Sequence, residues 1–312
     1  MNQRTPRSRW PSVRLVVLFV LCIQIPDVFS ETLRFNWPRP GRATVVETTE
    51  ASGISLASRY DIAVQARSGK DGYVLHVENL QRRVAGSDPT GRDNDALAEP
   101  RFAQAFSTWP SYLISETGQI EGFMGLETFS DKVAGMTEGS EVSRPAKDFA
   151  KSAHFPQAVR DQLATFWQGL IGCLHGLSLE AGDTLTRQDT FSWYGSSVPV
   201  EIAITHQGPA SDVAGAVRLE TSIAFDEAVL KEMMSEIVAE LRATENTGAL
   251  QIERVQRKMT FDSVMSPGSL IPHHAHVVDQ ILITTDQTET LRLYQAQALE
   301  FDWDHDSKLH ER

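Results

Sequence analysis

Residues 156–176 read PQAVRDQLATFWQGLIGCLHG, and they constrain the fold more than any other stretch. Val159, Leu163, Phe166, Trp167, Leu170, Ile171, Leu174 and Leu177 recur at three- and four-residue spacing, so a helix would gather them on one broad face. Pro156 suits a first helical turn, where a missing N–H costs nothing. Gly176 suits the stop, because glycine tolerates the left-handed cap. A face carrying Phe and Trp beside so many aliphatics must be sheltered by a sheet, a ligand or a membrane.

The flanks of this helix supply the sheet. Arg42–Glu50 is a β-branched run. Ile54–Ala66 and Tyr73–Glu78 alternate apolar and polar residues around Gly69-Lys70-Asp71-Gly72, the pattern of half-buried strands joined by a hairpin. Tyr112–Phe123 reads as a tighter hairpin turning at Glu116-Thr117-Gly118. Period two resumes at Thr184–Tyr194, Val198–His206 and Val217–Phe225, then at Leu250–Val264, Ser269–Thr285 and Glu289–Trp303. Asp226 is a good N-cap for a second helix reaching Ala243, and Leu126–Met136 suits a shorter one. Phe35 to Gly41 holds two prolines that forbid a central strand, so its aromatics are expected to plug one end of the core.

The fold class expected is α+β. Long antiparallel strands would form a strongly curved sheet, half-barrel or barrel-like, covered by two main helices. There is no βαβ alternation to suggest a doubly wound sheet. Residues 31–303 would form one domain, with 304–312 a frayed acidic tail. The polar stretch 86–99, the linker 139–145 and a short helix over 147–153 complete the plan. Asp88, Asp93 and Asp95 miss the glycine and glutamate positions of a calcium-binding loop.

Residues 1–30 have the form of a secretory signal peptide. Arg4, Arg7, Arg9 and Arg14 precede the uncharged run Leu15–Ile25, and Val28-Phe29-Ser30 suits a cleavage site. The run falls short of the roughly 20 apolar residues that span a bilayer. A periplasmic or secreted location is therefore expected, with no integral membrane span after cleavage. The whole chain carries −12; removing a segment of net +3 leaves −15. Such a balance excludes nucleic acid, which needs clustered Lys and Arg. Beyond residue 30 the only cysteine is Cys173, so no intramolecular disulfide can form and an inert buried thiol is expected.

Catalytic signatures are sparse. No HExxH, CxxC, GxxxxGK[ST] or GxGxxG occurs, and no cofactor is expected. Gly176-Leu177-Ser178 and Gly195-Ser196-Ser197 lack the second glycine of a nucleophile elbow. In an extended strand His274 and His276 share a face and could begin a metal site, with His206, His305 or Asp304 as third ligand. A polar strand is the simpler reading of that pair.

The aromatics of the central block suggest a hydrophobic cavity between helix and sheet. Phe166, Trp167, Leu170, Met233 and Met234 are its expected walls, and an apolar small molecule or lipid its expected partner. The plan is similar to that of periplasmic lipid and lipoprotein carriers, in architecture and without a shared motif. The chain thus reads as an exported, non-catalytic binding protein. A metal-assisted hydrolase and an assembly protein pairing through its sheet edges are the alternatives.

Overall fold

The computed structural model describes residues 31–51, 54–84, 108–137, 151–152, 154–243, 251–286 and 290–304. The leader expected at 1–30, the polar stretch 86–99 and the linker 139–145 lie outside these residues. So do most of the short helix 147–153 and the tail beyond Asp304.

Among the described residues, eleven antiparallel strands form one open sheet. After a two-residue strand β1 (Glu31–Thr32) come β2 (Gly41–Ala51), β3 (Ile54–Ala66), β4 (Tyr73–Val84), β5 (Ser111–Ile114) and β6 (Ile120–Met124). Helices α1 (Leu126–Thr137) and α2 (His154–Trp167) follow. A second short strand, β7 (Ser178–Leu179), pairs with β1. The chain returns to the sheet through β8 (Thr184–Trp193), β9 (Ser196–Pro209) and β10 (Val217–Phe225). Helix α3 (Glu227–Ala243) then leads to β11 (Ile252–Ser266), β12 (Ile271–Thr285) and β13 (Thr290–Trp303). The order across the sheet is β6-β5-β4-β3-β2-β13-β12-β11-β10-β9-β8. Two meanders therefore meet where β13 pairs with β2, placing Trp303 opposite Ala43.

Period two decides which side chains enter the core. Ala43, Val45, Glu47 and Thr49 of β2 are buried, while Arg42, Val46, Thr48 and Glu50 are exposed. Among the described residues there are three helices: the two principal ones, α2 and α3, and the shorter α1 expected near Leu126–Met136, which packs on α2. α3 packs on β9 and β11 and is capped by the Asp226 carboxylate, which accepts the Val229 N–H at 2.9 Å.

The organising helix is not one uninterrupted rod. Its α-helical part ends at Trp167, and Gln168–Gly172 is a π turn in which the Cys173 N–H reaches the Gln168 carbonyl at 3.0 Å. Two glycines permit this. A Cβ at Gly169 would stand 2.2 Å from the Phe261 ring, so only glycine lets the turn settle on β11. Gly176, at φ +81°, ends the unit where the sequence places its stop.

One end of the core is filled by aromatics. Trp37 stands 5.1 Å from Trp303 and 5.5 Å from Trp167, ring centre to ring centre, with Phe35 packed on Tyr73. Each indole N–H is satisfied: Trp37 by the Leu270 carbonyl, Trp303 by Pro272 and Trp167 by Gly118. A lead-in with two prolines joins no ladder, so its rings are free to close the sheet's end. No helix among the described residues is long and apolar enough to cross a membrane.

Candidate functional site

At the opposite end of the strands the core is hollow. A cavity of about 560 Å³ lies between α2 and the inner face of β2, β3, β4, β12 and β13. Leu163 and Phe166 of α2 form one wall; Tyr60, Val77, Ile281 and Leu299 stand across from them. Leu293 and Tyr294 border it while 41 % and 46 % exposed, so the opening lies at the start of β13.

Charged side chains interrupt this lining in two places, around Glu47 and around Asp279. Glu47 is only 8 % exposed, although its neighbour Val46 faces water. Its Oε1 accepts the Thr49 hydroxyl at 2.6 Å and the Gln297 amide at 3.2 Å. Burial and the Glu47 carboxylate hold the Tyr60 phenol well above its ordinary range, so it stays a donor. Burial likewise pushes Tyr112 up to about 12. Arg82 joins this side of the lining, its Nε donating to Ser58 Oγ at 3.0 Å.

At the second place Asp279 is paired with the buried Arg257. Arg257 Nη2 reaches Asp279 Oδ2 at 2.8 Å and Gln162 Oε1 at 2.9 Å, tying α2 to the sheet. The guanidinium also lies over Phe225 and Trp193, 4.8 and 5.1 Å from the ring centres. Among the described residues its Nη1 has no hydrogen-bond partner.

Of the expected ligand-binding residues, Phe166 borders the cavity. Trp167 and Leu170 are buried in the packed core, and Met233 and Met234 sit on α3; these four lie outside the cavity's lining. They fill space between helix and sheet instead. The helix presents Leu163, one turn before the tryptophan, and Phe166, its immediate neighbour, toward the hollow end. The periodic stripe contained both sets and gave no means of separating them.

His274 and His276 do share the outer face of β12. His274 Nε2 lies 3.6 Å from Asp212 Oδ2, and His276 is exposed. Among the described residues no group of three His, Cys, Asp or Glu side chains is placed to hold a metal ion. Cys173 is buried with its thiol pushed up to about 12, chiefly by desolvation, which fits an inert core residue. The described cavity lining contains no Ser, Thr, Cys or His.

Glu47, Asp279 and Arg257 were not singled out by sequence reasoning. The available signal is a charged residue at an inward position of a strand, and it becomes visible only once register is fixed. No protein-family model matches this chain, and no curated protein matches it.

Proposed function

We propose that the chain is a non-catalytic binding protein of the cell envelope, holding an apolar ligand, lipid or lipidated partner between α2 and the sheet. The observation that carries this reading is the hollow beside Leu163 and Phe166: its volume is in the usual range for small-ligand sites, and an opening is flanked by exposed Leu293 and Tyr294. Delivery outside the cytosol is supported by the basic, then apolar, leader at residues 1–30.

A strongly curved, half-barrel sheet belongs to the same reading. Its support is that α2 contacts both edge strands, β6 and β8. Flat, eleven strands would place those edges roughly 48 Å apart, at ~4.8 Å per neighbour. A helix of 14 residues is only about 21 Å long.

Native mass spectrometry of protein purified from its own host is expected to reveal a co-purifying lipid. N-phenylnaphthylamine should gain fluorescence with wild type and lose at least about tenfold in affinity with Leu163→Arg, which buries a charge in the hollow. Ligand-free protein with no probe response would overturn the reading.

A second reading, assembly by strand addition, has one observation in its favour. Among the described residues the outer edges of β6 and β8 have no strand neighbour. Light scattering that returns a strict monomer with envelope extract present counts against it.

A further inference from the structure

We infer that the cavity selects an amphiphile whose polar end is neutral or cationic and donates hydrogen bonds, and that Glu47 is the group that receives it. This rests on the binding reading above and adds the ligand's chemical class.

Glu47 enters the cavity from the middle of β2, where period two forces it inward between Val45 and Thr49. Ser58 and Leu299 are its neighbours across the sheet, so the carboxylate is enclosed by strands on both sides. Among the described residues no basic side chain forms an ion pair with it. A buried charge without a counterion is costly, and its hydrogen bonds must carry it. Oε1 takes both close donors, from Thr49 and Gln297. A carboxylate has about four acceptor positions, and Thr49, Gln297 and the Tyr60 hydroxyl use three of them.

Two other charged side chains border the space, Asp279 and Arg82. Asp279 is matched by Arg257. Arg82 is engaged by Ser58 and lies nearer solvent than Glu47. An alkyl chain placed along Leu163, Phe166 and Ile281 brings its polar end to Glu47. A hydroxyl, amide or ammonium there fills the vacant acceptor position. A carboxylate would meet a like charge at a side chain only 8 % exposed.

Displacement of N-phenylnaphthylamine by dodecylamine, dodecanol and dodecanoate tests this, near neutral pH and in high salt to screen the acidic surface. Wild type is expected to prefer the amine and the alcohol over the carboxylate by at least about tenfold. Glu47→Gln is expected to erase most of that preference, by gaining dodecanoate rather than by losing dodecanol. Dodecanoate binding as well as dodecanol in wild type overturns the inference and leaves apolar binding standing, with Arg82 as the receiving group. A preference that survives Glu47→Gln in a variant with an unchanged melting curve also overturns it. If that variant does not fold, the wild-type ranking decides alone. Failure of every alkyl compound and of the probe refutes the binding reading itself.

Discussion

Arg257 and Asp279 meet across β11 and β12 with nitrogen and oxygen 2.8 Å apart, and 1 % of the arginine side chain reaches solvent. Two charges out of water stabilise a fold only while both are present. Asp279→Ala strands a guanidinium beneath Trp193 and Phe225 and is expected to cost about 3–5 kcal/mol. The paired replacement Arg257→Met/Asp279→Leu should recover most of that loss, to within about 2 kcal/mol of wild type. Urea denaturation of the three proteins checks both values. A single mutant that melts like wild type would show that the pair is not a lock between the strands.

The hairpin joining β8 and β9 is fastened to α2 by one buried carboxylate. Tyr194 and Gly195 both have positive φ, the geometry of a tight two-residue turn. Asp161, 2 % exposed, accepts the Gly195 N–H and the Gln157 amide, each at 2.7 Å. Asp161→Ala leaves that amide without a partner and should destabilise by about 1–3 kcal/mol. Hydrogen exchange at Gly195 is expected to accelerate. Exchange unchanged in the variant would remove Asp161 from this role.

Gly169 has a packing reason to be glycine. An alanine methyl there would overlap the Phe261 ring, which is wholly buried and packed on Phe166. Gly169→Ala should cost about 1–3 kcal/mol through overpacking. Adding Phe261→Leu should return part of that loss. Costs that simply add would mean that the two residues do not collide.

Alkaline pH should weaken the fold. Burial raises the Cys173 thiol from its ordinary 9.0 and the Tyr112 phenol from 10.0, each to about 12. An unfolded chain therefore releases these protons first. Their contribution is fully present below about 9 and fades as pH climbs toward about 12. Denaturation midpoints measured across that interval should fall steadily. Iodoacetamide at mildly alkaline pH should label Cys173 only after urea is added.

Occupancy should register as stability. An alkyl alcohol at a hundred times its Kd is expected to add about 2.7 kcal/mol to wild type and much less to Leu163→Arg. A melting temperature unmoved by the ligand in wild type would contradict binding to the folded state.

Much of this architecture was legible as pattern. Val217–Phe225 alternates strictly and is a strand with those bounds; Asp226 reads as a cap and caps α3; Gly118 reads as a turn and has φ +79°. These features are local. Period, cap and left-handed turn are each set by a few neighbouring residues, so the chain's own chemistry fixed antiparallel strands, the principal helices and a sheltered apolar stripe.

Where that stripe is filled and where it is hollow was decided in three dimensions. Of Phe166, Trp167 and Leu170 only Phe166 reaches the cavity: Trp167 packs on Trp37 and donates to the Gly118 carbonyl, and the π turn holding Leu170 is set down on Phe261. Glu47 looks like a solvent-facing residue until β13 pairs with β2 and Val46 takes the outer side. Asp279 and Arg257 lie 22 positions apart and meet only through the β11–β12 register. Alternation says that two faces exist; burial of one of them against α2, by contacts distant in sequence, determines which face holds the charges.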